Sequence, residues 1–115
     1  MSNTASNASL ADKHSQPIKP GTAALTDAYA ADLLKSLPGW LSKEGAISKA
    51  FSFKNYYETM AFVNAVAWIA HHEDHHPDME VGYNRCKVKY STHSVGGLSE
   101  NDFICAAKVE RLFRV

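Results

Sequence analysis

The sequence has no net charge and no apolar run long enough to cross a membrane. Twelve Lys and Arg residues balance twelve Asp and Glu residues. Without a basic excess, the chain has no electrostatic surface for direct binding of nucleic acid or an anionic membrane. The longest apolar run, residues 60–70, contains Asn64 and is about half as long as a membrane-spanning helix. We therefore expect a soluble protein that contacts neither nucleic acid nor membrane directly.

Cysteine is also scarce. Cys86 and Cys105 are the only two cysteines, and they lack the paired spacing of zinc sites. No apolar stretch typical of a secretory signal precedes them. These features favour buried free thiols in a reducing compartment, and we expect a cytoplasmic protein.

The length of 115 residues is sufficient for a single domain with one modest core. Residues 1–25 are rich in small and polar residues and show no apolar periodicity, so we expect a disordered tail. Residues 26–115 are expected to form the domain.

The pattern of apolar residues within that domain predicts seven elements. A helix follows Thr26, a second runs from Asn55 to about Asp74, and a third follows Ser99, with Asp102 completing a capping box. The predicted strands are residues 40–44, 47–53, 80–83 and 86–92. The order α-β-β-α-β-β-α predicts a two-layer α+β fold, with an antiparallel four-stranded sheet and helices packed on one face.

The central helix is apolar on more than one side. Met60, Val63 and Ala67 lie on one side, whereas Phe62 and Val66 lie on another. A helix of this kind is buried on more than one side. In so small a domain this favours a homo-oligomer, with dimer and tetramer both open.

Five of the six histidines lie between His71 and His93. Histidine exchanges protons near neutrality and also binds metals. Residues 72–76 fit the zinc-protease motif H-E-x-x-H, but Pro77 should force His76 out of the helix and away from the face of His72. The pattern therefore favours acid/base chemistry over a metal site, and a merely solvated histidine-rich helix end is a further alternative.

The spacing around these histidines resembles the pterin-4a-carbinolamine dehydratase family. The resemblance covers about residues 26–115. It rests on these segments: Gly39-Trp40, Phe51-x-Phe53, Asp74-His75-His76-Pro77, Ser91-Thr92-His93 with His93 seventeen residues after His76, Gly97-Leu98-Ser99 and Asp102.

The resemblance implies dehydration of 4a-hydroxytetrahydrobiopterin to quinonoid dihydropterin by histidine general acid/base catalysis, without a metal or cofactor. It also implies a link to an aromatic amino acid hydroxylase through tetrahydrobiopterin recycling. The alternative is a non-enzymatic dimerisation or coactivator module for a transcription factor. The implied catalytic residues are His75, His76 and His93, and the implied pterin-binding residues are Asp74, Ser91, Thr92 and Ser94.

Several assignments stay open at this level. The sequence does not decide which histidine is the acid. Trp40 is better explained by core packing than by pterin stacking, and the inward position of Thr92 requires the strand to bend before this residue can reach a ligand. The chain departs from the family pattern at His71, where an acidic residue is common, and at Met79, where an aromatic residue is common.

Overall fold

The computed structural model describes residues 10–113. The helices are α1 (Asp27–Leu34), α2 (Tyr56–Glu73) and α3 (Glu100–Arg111), and the strands are β1 (Leu41–Lys43), β2 (Ala46–Ser52), β3 (Asp78–Val81) and β4 (Arg85–Tyr90). A short 3₁₀ helix spans His93–Val95. From Asp27 to Arg111, the order of helices and strands is the predicted one.

The four strands form one antiparallel sheet in the order β1-β2-β4-β3. Along β4, Cys86, Val88 and Tyr90 are fully buried and point to one face, whereas Lys89 is exposed on the other. This period of two is expected of a sheet with one covered face. The structure confirms the predicted α+β fold.

Strand β3 begins two residues earlier than predicted. It pairs with β4 from Asp78 opposite Lys89 to Val81 opposite Cys86. Gly82 then donates its N–H to the Arg85 carbonyl over 2.8 Å. Because this turn starts at Gly82, β3 cannot continue to residue 83. At its other end, β3 starts directly after Pro77.

Local capping sets both ends of α2. The Asn55 side chain accepts a hydrogen bond from the Glu58 N–H over 2.9 Å at the start. At the other end, Asp74 adopts a left-handed conformation with φ of 51°. The helix therefore stops at Glu73, before Pro77, as the sequence predicted.

Helix α3 lies almost wholly inside the molecule. Its start carries the predicted capping box between Ser99 and Asp102. Phe103, Cys105 and Val109 are fully buried. The helix positions Asp102 in the core at the end of the molecule where α2 stops.

The expected disordered tail is where the structure differs most from the sequence analysis. Residues 1–9 lie outside the described part of the chain. Residues 10–18, here called the arm, lie against α2 and α3. Leu10 and Ala11 are 1% exposed, and Lys108 donates from Nζ to the Ala11 carbonyl over 2.8 Å. Two adjacent buried apolar residues and several polar contacts hold the arm. These residues do not form a periodic apolar pattern in the sequence.

Candidate active site

A cleft of about 570 Å³ lies where the end of α2, the end of β4 and the start of α3 meet. All seven residues that the resemblance assigned to catalysis or pterin binding line it. The lining residues are Gln16, Pro17, Ile18, Asp74, His75, His76, Asp78, Lys89, Ser91, Thr92, His93, Ser94 and Asn101. Residues far apart in sequence therefore share one open, mainly polar cavity.

His75 is the most constrained of the three histidines. Its Nε2 lies 2.6 Å from Oδ1 of Asp102. The His75 side chain is 14% exposed and that of Asp102 is fully buried. The short chain from Asp74 to Pro77 leaves α2 in the direction of α3, so the imidazole reaches the carboxylate at the α3 N-terminus.

The second carboxylate oxygen of Asp102 is also occupied. Oδ2 accepts hydrogen bonds from the Thr92 hydroxyl over 2.8 Å and from the Ser99 N–H over 2.9 Å. The hydroxyls of Thr92 and Ser99 lie 2.6 Å apart. The network fixes the carboxylate, and the carboxylate in turn fixes the orientation of the His75 ring.

Tyr90 forms the floor beneath His75. The two rings are stacked, with centroids 5.9 Å apart and planes inclined by 13°. Burial, with smaller contributions from Cys105 and Asp102, raises the pKa of Tyr90 far above its ordinary value. Tyr90 is therefore a neutral phenol that supports the imidazole from the core side.

His76 and His93 have a different environment, because both are exposed. His93 opens the 3₁₀ helix, which Gly96 closes in a left-handed conformation with φ of 68°. The Thr92 N–H donates to the Gly97 carbonyl over 2.8 Å. This turn holds His93 at the rim of the cleft, accessible to a bound molecule.

Of the residues assigned to pterin binding, Asp74, Ser91 and Ser94 are exposed in the cleft. Thr92 is 6% exposed, and its hydroxyl is already bonded to Asp102. The inward position that the strand pattern gave Thr92 is thus retained. Its described contacts connect it to the carboxylate beneath the cleft.

The sequence analysis missed six lining residues: Gln16, Pro17, Ile18, Asp78, Lys89 and Asn101. Lys89 alternates with buried residues along β4 and could have been placed near the strand end. The capping pattern identified Asp102 but gave no signal of its bond to His75. Nothing in the sequence indicated that the arm reaches the cleft.

The zinc-protease alternative does not match the geometry of the helix end. The helix stops at Glu73, so His72 and His76 do not share a helical face. The carboxylate of Glu73 is bonded to the Ser15 N–H over 2.7 Å. Across residues 10–113, no group of three or more His, Cys, Asp or Glu side chains is arranged to hold a metal ion.

Over the same range, no helix is both long and apolar enough to span a membrane.

The fold and the cleft define a small α+β protein with three histidines in one polar cleft. The family model for pterin 4 alpha carbinolamine dehydratase matches residues 23–112. The chain therefore belongs to the pterin 4 alpha carbinolamine dehydratase family, a family of hydro-lyases.

Individual relatives agree with this assignment. A protein named pterin-4-alpha-carbinolamine dehydratase from Nitrosomonas eutropha is 62% identical over 104 residues, which are 90% of this chain and 92% of the relative. A relative of the same name from Dechloromonas aromatica is 50% identical over 111 residues, covering 96% and 99% of the two chains.

Solved structures show the same fold. The crystal structure of a transcriptional coactivator/pterin dehydratase from Brucella melitensis matches with a TM-score of 0.75 and 33% identity, covering 77% of this chain and 97% of that one. A pterin dehydratase-like protein identified as a RuBisCO assembly factor in the alpha-carboxysome has a TM-score of 0.54 and 24% identity, covering 64% and 84%. At that identity it shares the fold alone.

Proposed function

We propose that this protein dehydrates 4a-hydroxytetrahydrobiopterin to quinonoid dihydropterin by histidine general acid/base catalysis. The observation that carries the proposal is the convergence of His75, His76 and His93 on one cleft. Family membership supports the substrate class. The reaction would return the pterin for reuse by an aromatic amino acid hydroxylase, and we place it in the cytoplasm, where buried thiols such as Cys86 and Cys105 stay reduced.

The chemistry requires two proton transfers. The 4a-hydroxyl leaves as water once it is protonated, while a ring nitrogen of the pterin loses a proton. Positioned proton transfer typically contributes about 10²–10⁴ in rate. Three histidines around one cleft can supply both the proton donor and the proton acceptor. His75 is held by the carboxylate of Asp102, whereas His76 and His93 are open to the bound molecule.

His75 differs from the other two in what its ring can do. Because Nε2 is engaged by Asp102, only Nδ1 is left to contact a substrate or a water molecule. A histidine held in this way has a fixed ring orientation and a charge partner for its protonated form. His76 and His93 are exposed, and we assign the proton exchange with the substrate to them together with His75.

The test is the dehydration rate of 4a-hydroxytetrahydropterin generated in situ, measured for the wild type, His76→Ala and His93→Ala. We expect each variant to lose at least tenfold in rate, which corresponds to about 1.4 kcal/mol of barrier. His71→Ala is a matched control, since His71 is exposed on α2 and does not line the cleft. A wild type that gives no rate above background in metal-free buffer would refute the proposal.

We also propose that the protein is a homo-oligomer. Helix α2 buries Phe62, Val66 and Ile69 within the chain, whereas Trp68 is 60% exposed and Ala67 is also exposed. An indole exposed on a helix surface is a large apolar group that is available to pack against a second copy. Sedimentation velocity of the wild type and Trp68→Glu tests this, and a monomeric wild type at micromolar concentration would contradict it.

The second candidate function is a coactivator module that binds a transcription factor. The name of the Brucella melitensis protein, which includes transcriptional coactivator, is the observation in its favour. The same exposed face of α2 could serve such a partner. The dehydration assay separates the candidates, because a binding module has no need for His76 and His93 beside a cleft.

A further inference from the structure

The arm reaches the cleft although it precedes residues 23–112, which match the family model. Three of its residues, Gln16, Pro17 and Ile18, line the same cavity as His75, His76 and His93. Ile18 is partly buried and Pro17 is exposed. The arm therefore adds an apolar edge to a cavity whose other lining side chains are mostly polar or charged.

The attachment of the arm is specific. The Gln16 N–H donates to Oδ1 of Asn101 over 3.0 Å, and Nδ2 of Asn101 donates to the Gln16 carbonyl over 2.8 Å. The amide of Asn101 thus pairs with both main-chain groups of Gln16, as a neighbouring strand would. Asn101 is 7% exposed, so these hydrogen bonds are largely shielded from water.

A second attachment lies one residue earlier. The carboxylate of Glu73 accepts the Ser15 N–H over 2.7 Å and lies 3.0 Å from Nδ1 of His14. Nζ of Lys108 lies 3.6 Å from the same carboxylate, whose side chain is 5% exposed. A buried carboxylate with these partners holds the backbone of the arm in place.

Both attachments adjoin the catalytic centre in sequence. Glu73 is followed by Asp74 and His75, and Asn101 is followed by Asp102, the partner of His75. The two elements that position the imidazole therefore also position the arm. This coupling fixes the distance between the apolar edge and the histidines.

We propose that Pro17 and Ile18 form a substrate-binding wall, and that this wall sets the affinity for the pterin without taking part in proton transfer. The inference rests on the proposed dehydratase function. A flat, partly apolar pterin would exclude water from the Ile18 side chain on binding, and a contact made equally in the ground and transition states lowers KM and leaves kcat unchanged.

The test compares Ile18→Ala with two other variants. Ile18→Leu keeps the apolar volume, and Lys19→Ala changes an exposed neighbour that does not line the cleft. We expect Ile18→Ala to raise KM by between about three- and tenfold from lost apolar burial, with kcat within twofold of the wild type. Ile18→Leu and Lys19→Ala should stay within twofold of the wild type in both constants.

Equilibrium binding provides a readout independent of turnover. The probe is 7,8-dihydrobiopterin, which has no 4a-hydroxyl to lose, titrated calorimetrically against each variant after its melting temperature has been checked. Its Kd should rise in Ile18→Ala by the same factor as KM. An unchanged Kd and KM, or a loss expressed in kcat, would overturn the proposal for the arm. A wild type that binds the probe but does not dehydrate substrate would overturn the proposed function instead.

Discussion

Nε2 of His75 and Oδ1 of Asp102 lie 2.6 Å apart, although 27 positions separate the two residues. The carboxylate is fully buried, and its other oxygen is bonded to Thr92 and Ser99. One side chain therefore caps a helix and orients a histidine at the same time. This double role connects the stability of α3 to the geometry of the cleft.

Asp102→Asn should separate the charge of this group from its shape. The amide can still accept one hydrogen bond at the helix start, but it lacks the negative charge beside His75 and has only one acceptor oxygen. We expect kcat to fall by at least tenfold, or about 1.4 kcal/mol. The measurement is kcat at neutral pH for a variant verified as folded.

Ser99→Ala is the control for the capping role, because it removes the N-cap hydroxyl and leaves the His75 contact. It should cost about 0.5–2 kcal/mol of stability and change kcat by less than threefold. If Asp102→Asn and Ser99→Ala lose the same stability and the same activity, the effect of Asp102 is structural alone.

Patterns between near neighbours in the sequence predicted most of the fold. Asn55 and Asp74 bracket α2, and the Ser99–Asp102 pair starts α3, because capping depends on residues three or four positions apart. The buried face of β4 was also predictable from near neighbours, because buried and exposed residues alternate along a strand. These local signals, with the order of the elements, were sufficient for the fold class.

Contacts between distant segments were not predictable in this way. The arm has only Leu10 and Ala11 as fully buried apolar residues, too few to form a pattern. Its other attachments bring main-chain groups to Glu73 and Asn101, and main-chain groups are the same in every sequence. The site histidines were placed through the family resemblance, whereas the partner of His75 became visible only in three dimensions.

Trp40 provides a test of core packing against substrate stacking. It is 3% exposed, and its Nε1 donates to Glu110 over 2.8 Å. Trp40→Phe keeps much of the ring but removes this hydrogen bond and leaves a small cavity. We expect a loss of about 1–3 kcal/mol in the free energy of unfolding, measured with urea.

The same variant should leave KM unchanged, since Trp40 does not line the cleft. Glu110 still accepts a bond from Lys49 over 2.8 Å, so the carboxylate is not left unpaired. A Trp40→Phe variant with native stability and a raised KM would favour the stacking role instead.

Cys86 and Cys105 should be protected from thiol reagents in the native protein. Both are fully buried. Burial raises the pKa of both thiols, that of Cys105 to about 12. Because the thiolate is the reactive form, both burial and protonation oppose reaction.

Titration with Ellman's reagent at neutral pH checks this expectation. Neither thiol should react on the timescale of minutes in buffer, and both should react in denaturant. Rapid reaction of one equivalent in the folded state would mean that the segment around that cysteine opens locally far more easily than its burial implies.

The pH dependence of stability should carry a contribution from Glu73. Burial raises its pKa, but the Ser15 N–H, His14 and Lys108 outweigh burial and hold it below the ordinary value of 4.5. A carboxyl with a lowered pKa in the folded state stabilises the protein when ionised. The contribution is therefore complete above pH 4.5 and is lost as the pH falls through the folded-state value.

Glu73→Gln should consequently destabilise the protein by about 1–3 kcal/mol at neutral pH, because it removes the charge that Lys108 and the arm contact. The gap between wild type and variant should shrink as the pH falls below 4.5, measured by urea unfolding at a series of pH values. His14→Ala is the matched control. The His14 side chain is 74% exposed, so solvent screens its interaction with Glu73. When Glu73→Gln is made in the His14→Ala protein, it should therefore still cause most of the loss of stability. If the difference in stability between wild type and Glu73→Gln is the same at neutral pH and at acidic pH, Glu73 acts through packing and not through its charge.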